Sequence, residues 1–199
     1  MRLVADGAKW FGRAGTICIS PHVAGRSVKF NLIDNVESLS ADRIVAVKQV
    51  SLAEEYLADH FPSFPVLPGV MMLEALVQAA GWLLHQRREF ACSMAVLREA
   101  KNVRYGQFVA PGERLRVEVE LSKLTEGGGV FKGTGTVGGA QAVTARLELA
   151  YFNLADKQPE LAEIDQRLRT HNRARWKLIA PRAEAPAKPV KMDGFGTVN

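Results

Sequence analysis

One apolar segment near the middle of the chain restricts the possible folds more than any other part of the sequence. It runs from Val66 to Leu84, and only Glu74 and Gln78 within it are conventionally polar. A helix that is apolar on all sides is normally buried on all sides. Pro68-Gly69 suits the start of such a helix, because proline is favoured in the first helical position. The sequence therefore predicts one long central helix that the rest of the domain covers.

A membrane-spanning helix is the alternative interpretation, since the length of the segment alone would cross a bilayer. Three features argue against it. Pro68-Gly69 lies inside the apolar run, the flanking segments resemble the strands of a water-soluble domain, and Glu74 in a bilayer would cost about 2.5–3.5 kcal/mol. We therefore expect no membrane span.

Segments rich in Val, Leu, Thr and aromatic residues lie on both sides of the predicted helix. Residues 28–39 and 42–52 alternate in polarity and predict two paired strands joined near residues 40–42. Four strand-like segments follow the helix: CSMAVLREAKNVRY, ERLRVEVELSKL, GVFKGTGTVGG and AVTARLELAYFNL. One long helix amid about five or six strands predicts an α+β fold in which an antiparallel sheet wraps around the helix.

The remaining segments predict smaller elements around this domain. Ser51 and Glu54 have the spacing of a capping box for a short helix, and Pro159 suits the first turn of a later helix. A short strand is expected at Thr16–Ser20. The predicted organisation is an N-terminal extension over residues 1–27, a central domain over 28–155, a basic helix over 156–180 and a flexible tail over 181–199.

The net charge of +5 is concentrated near the C-terminus, where residues 157–199 carry nine Lys and Arg against five Asp and Glu, or +4. A basic segment suits nucleic acid, a membrane surface or an acidic protein, and a solvated surface is the plain alternative. No nucleic-acid-binding motif accompanies it, so we expect no nucleic-acid partner. Cys18 and Cys92 lack the spacing of zinc ligands, so we expect two reduced thiols and no metal site. Reduced thiols, together with a start that does not resemble a signal peptide, lead us to expect a cytoplasmic protein.

Glu74 and His60 are the residues in which we expect chemistry. Three interpretations of Glu74 remain at this point. It pairs with Gln78 one turn on, it pairs with a basic residue of another element, or it lines a dry cavity as a proton donor or acceptor. The first N–H groups of a helix lack internal acceptors and lie at the positive end of its dipole, so they would stabilise a developing oxyanion beside Gly69. His60 precedes the proline-rich loop and can turn back towards the same cavity. The other histidines are expected to be packed or surface residues: His22, His85 and His171.

The stretch HFPSFPVLPGVMMLEALVQAAG, residues 60–81, resembles the signature of the FabZ-type 3-hydroxyacyl-[acyl-carrier-protein] dehydratases. The stretches FNLIDNV and NVRYGQFVAPGERL resemble the same family more weakly, and the likeness covers roughly residues 28–152. It implies a hotdog fold, which is an α+β fold with a curved antiparallel sheet wrapped around a long central helix. It also implies homodimers with shared active sites, and leaves open whether the dimers assemble into a trimer of dimers.

The resemblance further implies an activity, the dehydration of a (3R)-3-hydroxyacyl thioester of acyl carrier protein to the trans-2-enoyl thioester, with no cofactor. His60 would be the base that removes a proton from C2. Glu74 of the neighbouring subunit would assist loss of the C3 hydroxyl as water. The Gly69 amide, joined by that of Val70, would polarise the thioester carbonyl.

Two more residues have supporting roles by the same resemblance. The Val66 carbonyl would orient the imidazole, and Gln78 would support the catalytic carboxylate. A glutamate as the acid favours simple dehydration over the related FabA-type reaction, which also isomerises the double bond. Three positions depart from the family pattern and leave the substrate open: Asp59, Ser63 and Asn35.

Two alternative functions remain. A hotdog thioesterase would also place a carboxylate on the central helix, although such enzymes lack the histidine loop. A non-catalytic paralogue would bind acyl carriers without turning them over. An acidic carrier protein would suit a basic rim on the domain, for which the candidates are Arg98, Lys101, Arg104 and the Arg167–Lys177 group.

Overall fold

Six antiparallel strands form one sheet in the computed structural model, which describes residues 30–181. They are β1 (Asn35–Leu39), β2 (Arg43–Gln49), β3 (Met94–Tyr105), β4 (Arg114–Thr125), β5 (Gly128–Val137) and β6 (Ala140–Phe152). Their order across the sheet is β1-β2-β4-β5-β6-β3. The predicted pairing of the first two strands is confirmed, since Leu39 lies opposite Ile44. The strand expected at Thr16–Ser20 and nearly all of the predicted tail lie outside the described residues.

A long helix, α1 (Gly69–Arg87), packs on one face of this sheet and contacts β2, β3, β4, β5 and β6. Val117 and Phe131 on the facing strands are fully buried in the same cluster as Leu76 of α1. Gly133 of β5 allows a close approach, because a Cβ there would lie 3.1 Å from the Leu76 side chain. The predicted α+β fold, with one central helix against an antiparallel sheet, is confirmed.

The exposure of α1 differs from the prediction. Pro68 is the N-cap and Gly69 the first helical residue, so the helix begins one residue later than predicted. Leu76 is fully buried, whereas Val70 is 70% exposed and Glu74 is half-buried. Complete burial is therefore the wrong prediction for a single chain, because one sheet covers only one side of a helix. Within residues 30–181, no helix is both long and apolar enough to cross a membrane.

The predicted capping box of Ser51 and Glu54 is absent. The Glu54 carboxylate accepts a hydrogen bond from Lys48 Nζ at 2.6 Å, and Ser51 Oγ accepts one from the Ala53 N–H at 3.2 Å. Lys48 is buried in β2, and a buried ammonium group requires a carboxylate partner. The Glu54 carboxylate is therefore unavailable for the predicted box, and the segment forms a short 3₁₀ turn at Glu55–Leu57.

A second helix, α2 (Ala162–Ile179), follows β6 after two short 3₁₀ turns, the second of which is Pro159–Leu161. The proline therefore belongs to the turn before the helix and not to its first turn. Trp176 docks α2 onto α1, with its ring centroid 5.8 Å from that of Trp82. The limits proposed for the separate parts of the chain stay predictions.

The N-terminal half of α2 is held by the buried carboxylate of Asp165. It accepts hydrogen bonds from Ser93 Oγ and from the N–H groups of Leu154 at 3.0 Å and Ala155 at 2.8 Å. Burial raises the pKa of Asp165, but these hydrogen bonds and the charge of Arg169 outweigh it and lower the pKa below the ordinary value. The ionised carboxylate thus fixes the helix to the chain around the start of β3.

His85, near the end of α1, is a packed histidine. Its ring stacks on Phe90 with centroids 5.5 Å apart, and its Nδ1 lies 3.2 Å from the Tyr151 hydroxyl oxygen. Nδ2 of Asn172, on α2, lies 3.5 Å from the other ring nitrogen. Burial lowers the pKa of His85 to about 4, so the ring is neutral at pH 7.

Candidate active site

His60 lies in the loop that leads into α1, and the backbone of the same loop fixes its ring. Nδ1 lies 3.0 Å from the Val66 carbonyl oxygen, and the Val66 N–H donates to the His60 carbonyl oxygen at 3.1 Å. Because a carbonyl oxygen only accepts hydrogen bonds, Nδ1 carries the proton of the neutral ring. In that tautomer Nε2 keeps its lone pair and can accept a hydrogen bond or a proton. The contact between His60 and Val66 implied by the resemblance is present.

Two further backbone contacts hold this loop in place. The Phe64 N–H donates to the Phe61 carbonyl oxygen at 2.9 Å and closes a tight turn after His60. The Leu67 N–H donates to the Val109 carbonyl oxygen at 2.8 Å and ties the loop to the connection between β3 and β4. Leu67 and Val109 are both fully buried. The loop is therefore anchored to the core immediately before the helix begins.

The start of α1 presents two amide groups. The N–H groups of Met71 and Met72 donate to the Pro68 carbonyl oxygen at 2.9 and 3.2 Å. Within the described part of the chain, nothing accepts the N–H groups of Gly69 and Val70. They lie at the positive end of the helix dipole and can therefore donate to an oxygen that gains negative charge.

The ring of Tyr105, from the end of β3, covers Gly69. A Cβ at Gly69 would lie 3.1–3.4 Å from three carbons of that ring, so glycine is the residue that fits without a shift. The tyrosine remains 49% exposed. The sequence analysis did not identify Tyr105, because no short-range pattern tells which strand end reaches the helix start.

Glu74 and Gln78 form a pair one helical turn apart. Gln78 Nε2 donates to Glu74 Oε1 at 3.1 Å, and Gln78 Oε1 accepts a hydrogen bond from the Leu32 N–H at 2.9 Å. The first alternative considered for Glu74, pairing with Gln78, is therefore present. It is compatible with a role in proton transfer, since only one oxygen of the half-buried carboxylate is used in this pair.

The predicted residues form two separate groups within one chain. His60 lies with Val66 ahead of the helix, and Glu74 lies with Gln78 on the helix. Glu74 is five residues beyond Gly69, or about 7.5 Å along the helix axis. No hydrogen bond or ion pair joins His60 to Glu74 among residues 30–181.

Exposed aromatic side chains lie around the histidine loop, which the sequence analysis also did not anticipate. Phe61, Phe64 and Phe108 are 53%, 56% and 65% exposed. The rings of Phe64 and Phe108 meet edge to face with centroids 6.0 Å apart. Large exposed apolar groups gathered beside a candidate site indicate a surface that another molecule covers.

The cations proposed for the basic rim are partly neutralised. Arg98 lies 3.3 Å from Glu148, and Lys101 lies 2.8 Å from Glu99. Arg104, by contrast, has no ion-pair partner in the described part of the chain. Of the predicted rim on β3, Arg104 is the cation best able to attract an acidic partner.

The family model of the FabA-like domain matches residues 25–146, which is more than half of the chain. A 3-hydroxyacyl-[acyl-carrier-protein] dehydratase FabZ from Clostridium perfringens is 38% identical over 121 residues, which cover 61% of this chain and 87% of the relative. The protein of the same name from Solibacter usitatus is 35% identical over 136 residues, covering 68% of this chain and 84% of the relative.

A solved structure, the dehydratase heterocomplex ApeI:P from Xenorhabdus doucetiae, has a similar fold. It superposes with a TM-score of 0.54 at 23% identity and covers 70% of this chain and 91% of the other. At this identity the likeness bears on the fold alone. Helix α2 begins at Ala162 and therefore lies beyond the family match, which ends at residue 146.

Proposed function

The chain belongs to the FabA-like family, and from this premise we propose that it removes water from a 3-hydroxyacyl thioester of acyl carrier protein, giving the trans-2-enoyl thioester. The observation that carries the proposal is the placement of His60. Its Nδ1 is engaged by the Val66 carbonyl, so that Nε2 is a proton acceptor in the loop that leads directly to the exposed helix start.

The first step is removal of a proton from C2 of the substrate by Nε2 of His60. A C–H bond next to a thioester carbonyl is weakly acidic, so a base needs help from stabilisation of the enolate oxygen. The Gly69 and Val70 N–H groups are suited to that oxygen. One such donor typically lowers the barrier by about 2.7–4 kcal/mol.

The second step is departure of the C3 hydroxyl. Hydroxide is a poor leaving group, so the C3–O bond breaks as Glu74 delivers a proton and water leaves. The electron pair of the C2–H bond becomes the second bond between C2 and C3. Gln78 holds Oε1 of Glu74 through its amide N–H, which leaves Oε2 to carry the proton.

We assign Glu74 to the neighbouring subunit of a homodimer. Within one chain no contact joins Glu74 to His60 among the described residues, and Val70 and Phe64 next to the site are exposed apolar groups. A second copy of the chain would cover this surface and bring the two groups together. A further assembly into a trimer of dimers stays an expectation.

The test is to incubate the purified protein with 3-hydroxyacyl and enoyl thioesters of acyl carrier protein and to follow interconversion of the two. His60→Ala and Glu74→Ala should each abolish it while the circular dichroism spectrum is unchanged. Release of free thiol without an enoyl product would identify a thioesterase instead. Binding of the carrier without turnover by the wild type would identify a non-catalytic paralogue.

Mixing the two inactive variants tests the shared site. In a mixed dimer one of the two sites regains both an intact His60 and an intact Glu74, so part of the activity should return. Verified mixed dimers that stay inactive would show that both residues act from the same chain.

A further inference from the structure

The face of the sheet that points away from α1 carries a depression of about 520 Å³, which spans strands β3 to β6. Arg146 belongs to this face, because its neighbours Ala145 and Leu147 point the other way into the core around α1. We call the depression the outer pocket. Its charged and polar lining residues are Asn102, Arg104, Ser122, Lys132, Thr144 and Arg146. The volume lies within the range of small-molecule sites, and none of the described residues that line it is acidic.

Cations stand side by side across this face of the sheet. Lys132 of β5 lies directly opposite Arg146 of β6, and Arg146 lies directly opposite Lys101 of β3. Like charges in directly opposite positions of neighbouring strands destabilise a sheet. Hydrogen bonding to Glu99 and the charge of Glu99 raise the pKa of Lys101, whereas the charge of Arg146 acts against that rise. The row of cations therefore has an electrostatic cost in the folded chain, which a bound anion would offset.

Other arginines on the same face are paired with carboxylates. Arg43 of β2 lies 2.5 Å from Glu118, and Arg116 of β4 lies 3.0 Å from Glu37. The three cations of the outer pocket differ, because within residues 30–181 they form no ion pair and no side-chain hydrogen bond; they are Arg104, Lys132 and Arg146. Glu120 of β4 lies opposite Lys132, but no ion pair joins them among the described residues. The positive charge of the outer pocket is therefore available to a ligand.

A β-bulge in β3 adds Arg104 to this group. Lys101 pairs with Arg146 and Arg104 pairs with Thr144, so that three steps along β3 match two steps along β6. Without the extra residue, strict alternation would turn Arg104 towards the side of α1. Asn102 lies inside the bulge with a φ of 53°, a conformation that asparagine adopts more readily than most residues. The bulge therefore brings the guanidinium of Arg104 and the amide of Asn102 to the same pocket.

We propose that the outer pocket binds the phosphate group of a small phosphate ester. Each guanidinium group presents paired N–H donors that match two phosphate oxygens, and the ammonium group of Lys132 adds a point charge. The side chains of Asn102, Ser122 and Thr144 supply uncharged donors for the remaining oxygens. A phosphate ester carries up to two negative charges and therefore offsets more of the repulsion than a single carboxylate. The pocket lies on the face opposite α1, so the proposal is independent of the reaction proposed above.

The experiment measures binding of inorganic phosphate and of phenyl phosphate to the full-length protein, by calorimetry and by the rise in Tm. Sodium chloride at matched ionic strength is the reference, because salt screens surface charges without filling a site. Both phosphate compounds should bind saturably, and Arg104→Gln or Arg146→Gln should weaken binding by about tenfold or more. Arg43→Gln removes an arginine from the same face but outside the outer pocket, and should leave the affinity unchanged. Equal affinities of Arg146→Gln and Arg43→Gln, or a rise in Tm that chloride reproduces, would overturn the proposal.

The stability of the unliganded protein gives a second test. At low ionic strength without phosphate, Arg146→Gln should have a Tm about 1–3 °C above that of the wild type, because it relieves repulsion from both cross-strand neighbours. Saturating phosphate should reverse this order. A wild type that is more stable than Arg146→Gln before phosphate is added would refute the repulsion on which the proposal depends.

An acidic carrier protein is the competing ligand for these cations. Acyl carrier protein without its prosthetic group should bind equally well to the wild type and to Arg146→Gln. If only the wild type bound this carrier, and neither phosphate compound bound, the pocket would be part of a protein interface and the phosphate site would be wrong. A wild type without dehydratase activity would refute the reaction and leave these binding results as they stand.

Discussion

The buried histidine of α1 gives a prediction whose size follows from the structure. His85 has a pKa of about 4 in the folded chain, against an ordinary value of 6.5. Its ring is closed in by Phe90 and Tyr151, and Asn172 presents an amide nitrogen to it. A second proton would give the buried ring a positive charge. Among the described residues, no carboxylate contacts the ring to balance that charge.

The sign of the effect is set by which state binds the proton first. As the pH falls below 6.5, the unfolded chain takes up a proton at His85 while the folded chain does not, so the free energy of unfolding decreases. The stabilisation is fully present above pH 6.5 and is lost progressively down to about pH 4. Between about pH 7.5 and about pH 4.5 the loss from this one group is about 2.5 kcal/mol.

The assay is urea unfolding at a series of pH values and at one protein concentration, because assembly would make the stability depend on concentration. Fluorescence is a suitable signal, since Trp82 and Trp176 lie against each other between the two helices. Carboxylates also titrate near the lower end of this range, so the informative quantity is the difference between the wild type and His85→Gln. The wild type should lose about 2.5 kcal/mol more than the variant. Parallel pH curves for the two proteins would refute the burial argument.

Three further predictions follow from other contacts. Gly69→Ala should lower kcat without unfolding the protein, because the new methyl group meets the Tyr105 ring at 3.1 Å and shifts the helix start. The double variant Gly69→Ala with Tyr105→Ala should recover part of the rate. No recovery would exclude this clash as the cause. Trp176→Ala should lower the free energy of unfolding in urea by about 2–4 kcal/mol, because it removes the α2 ring that packs on Trp82. A change below about 1 kcal/mol would show that other contacts dock α2. Asp165→Asn should lower the free energy of unfolding by about 1–3 kcal/mol at neutral pH, and by less as the pH falls through the low pKa of the wild-type carboxylate. A difference in stability between the two proteins that does not depend on pH would contradict the low pKa.

The central helix and the succession of strand segments along the chain were accessible from the sequence because their signals are local, whereas the order of the strands across the sheet was not predicted. Leu76 lies in a long apolar run in which only Glu74 and Gln78 are polar, and burial alternates along most of β5 and β6. Where two local signals compete, sequence reasoning fails. Glu54 had the spacing of a cap, but the buried ammonium of Lys48, from the preceding strand, takes its carboxylate.

The candidate site also contains some contacts that are local in sequence and others that are not. The pairs His60–Val66 and Glu74–Gln78 join residues close in sequence, so a short motif contains both of them. The groups that hold these pairs in place come from far along the chain, and nothing in the spacing of the motif indicates them. They are the Leu32 N–H, the Val109 carbonyl and the Tyr105 ring.

One face of α1 connects these distant effects. Glu74, Gln78, Trp82 and His85 follow one another at intervals of four, four and three residues, which places them along a single stripe of the helix. Gln78 contacts segment 31–33, while Trp82 and His85 contact α2. Residues 31–33 and α2 therefore contact this stripe at three successive turns of the helix, at Gln78, Trp82 and His85. Helix α2, which begins beyond the family match, therefore packs on the same face of α1 that carries Glu74.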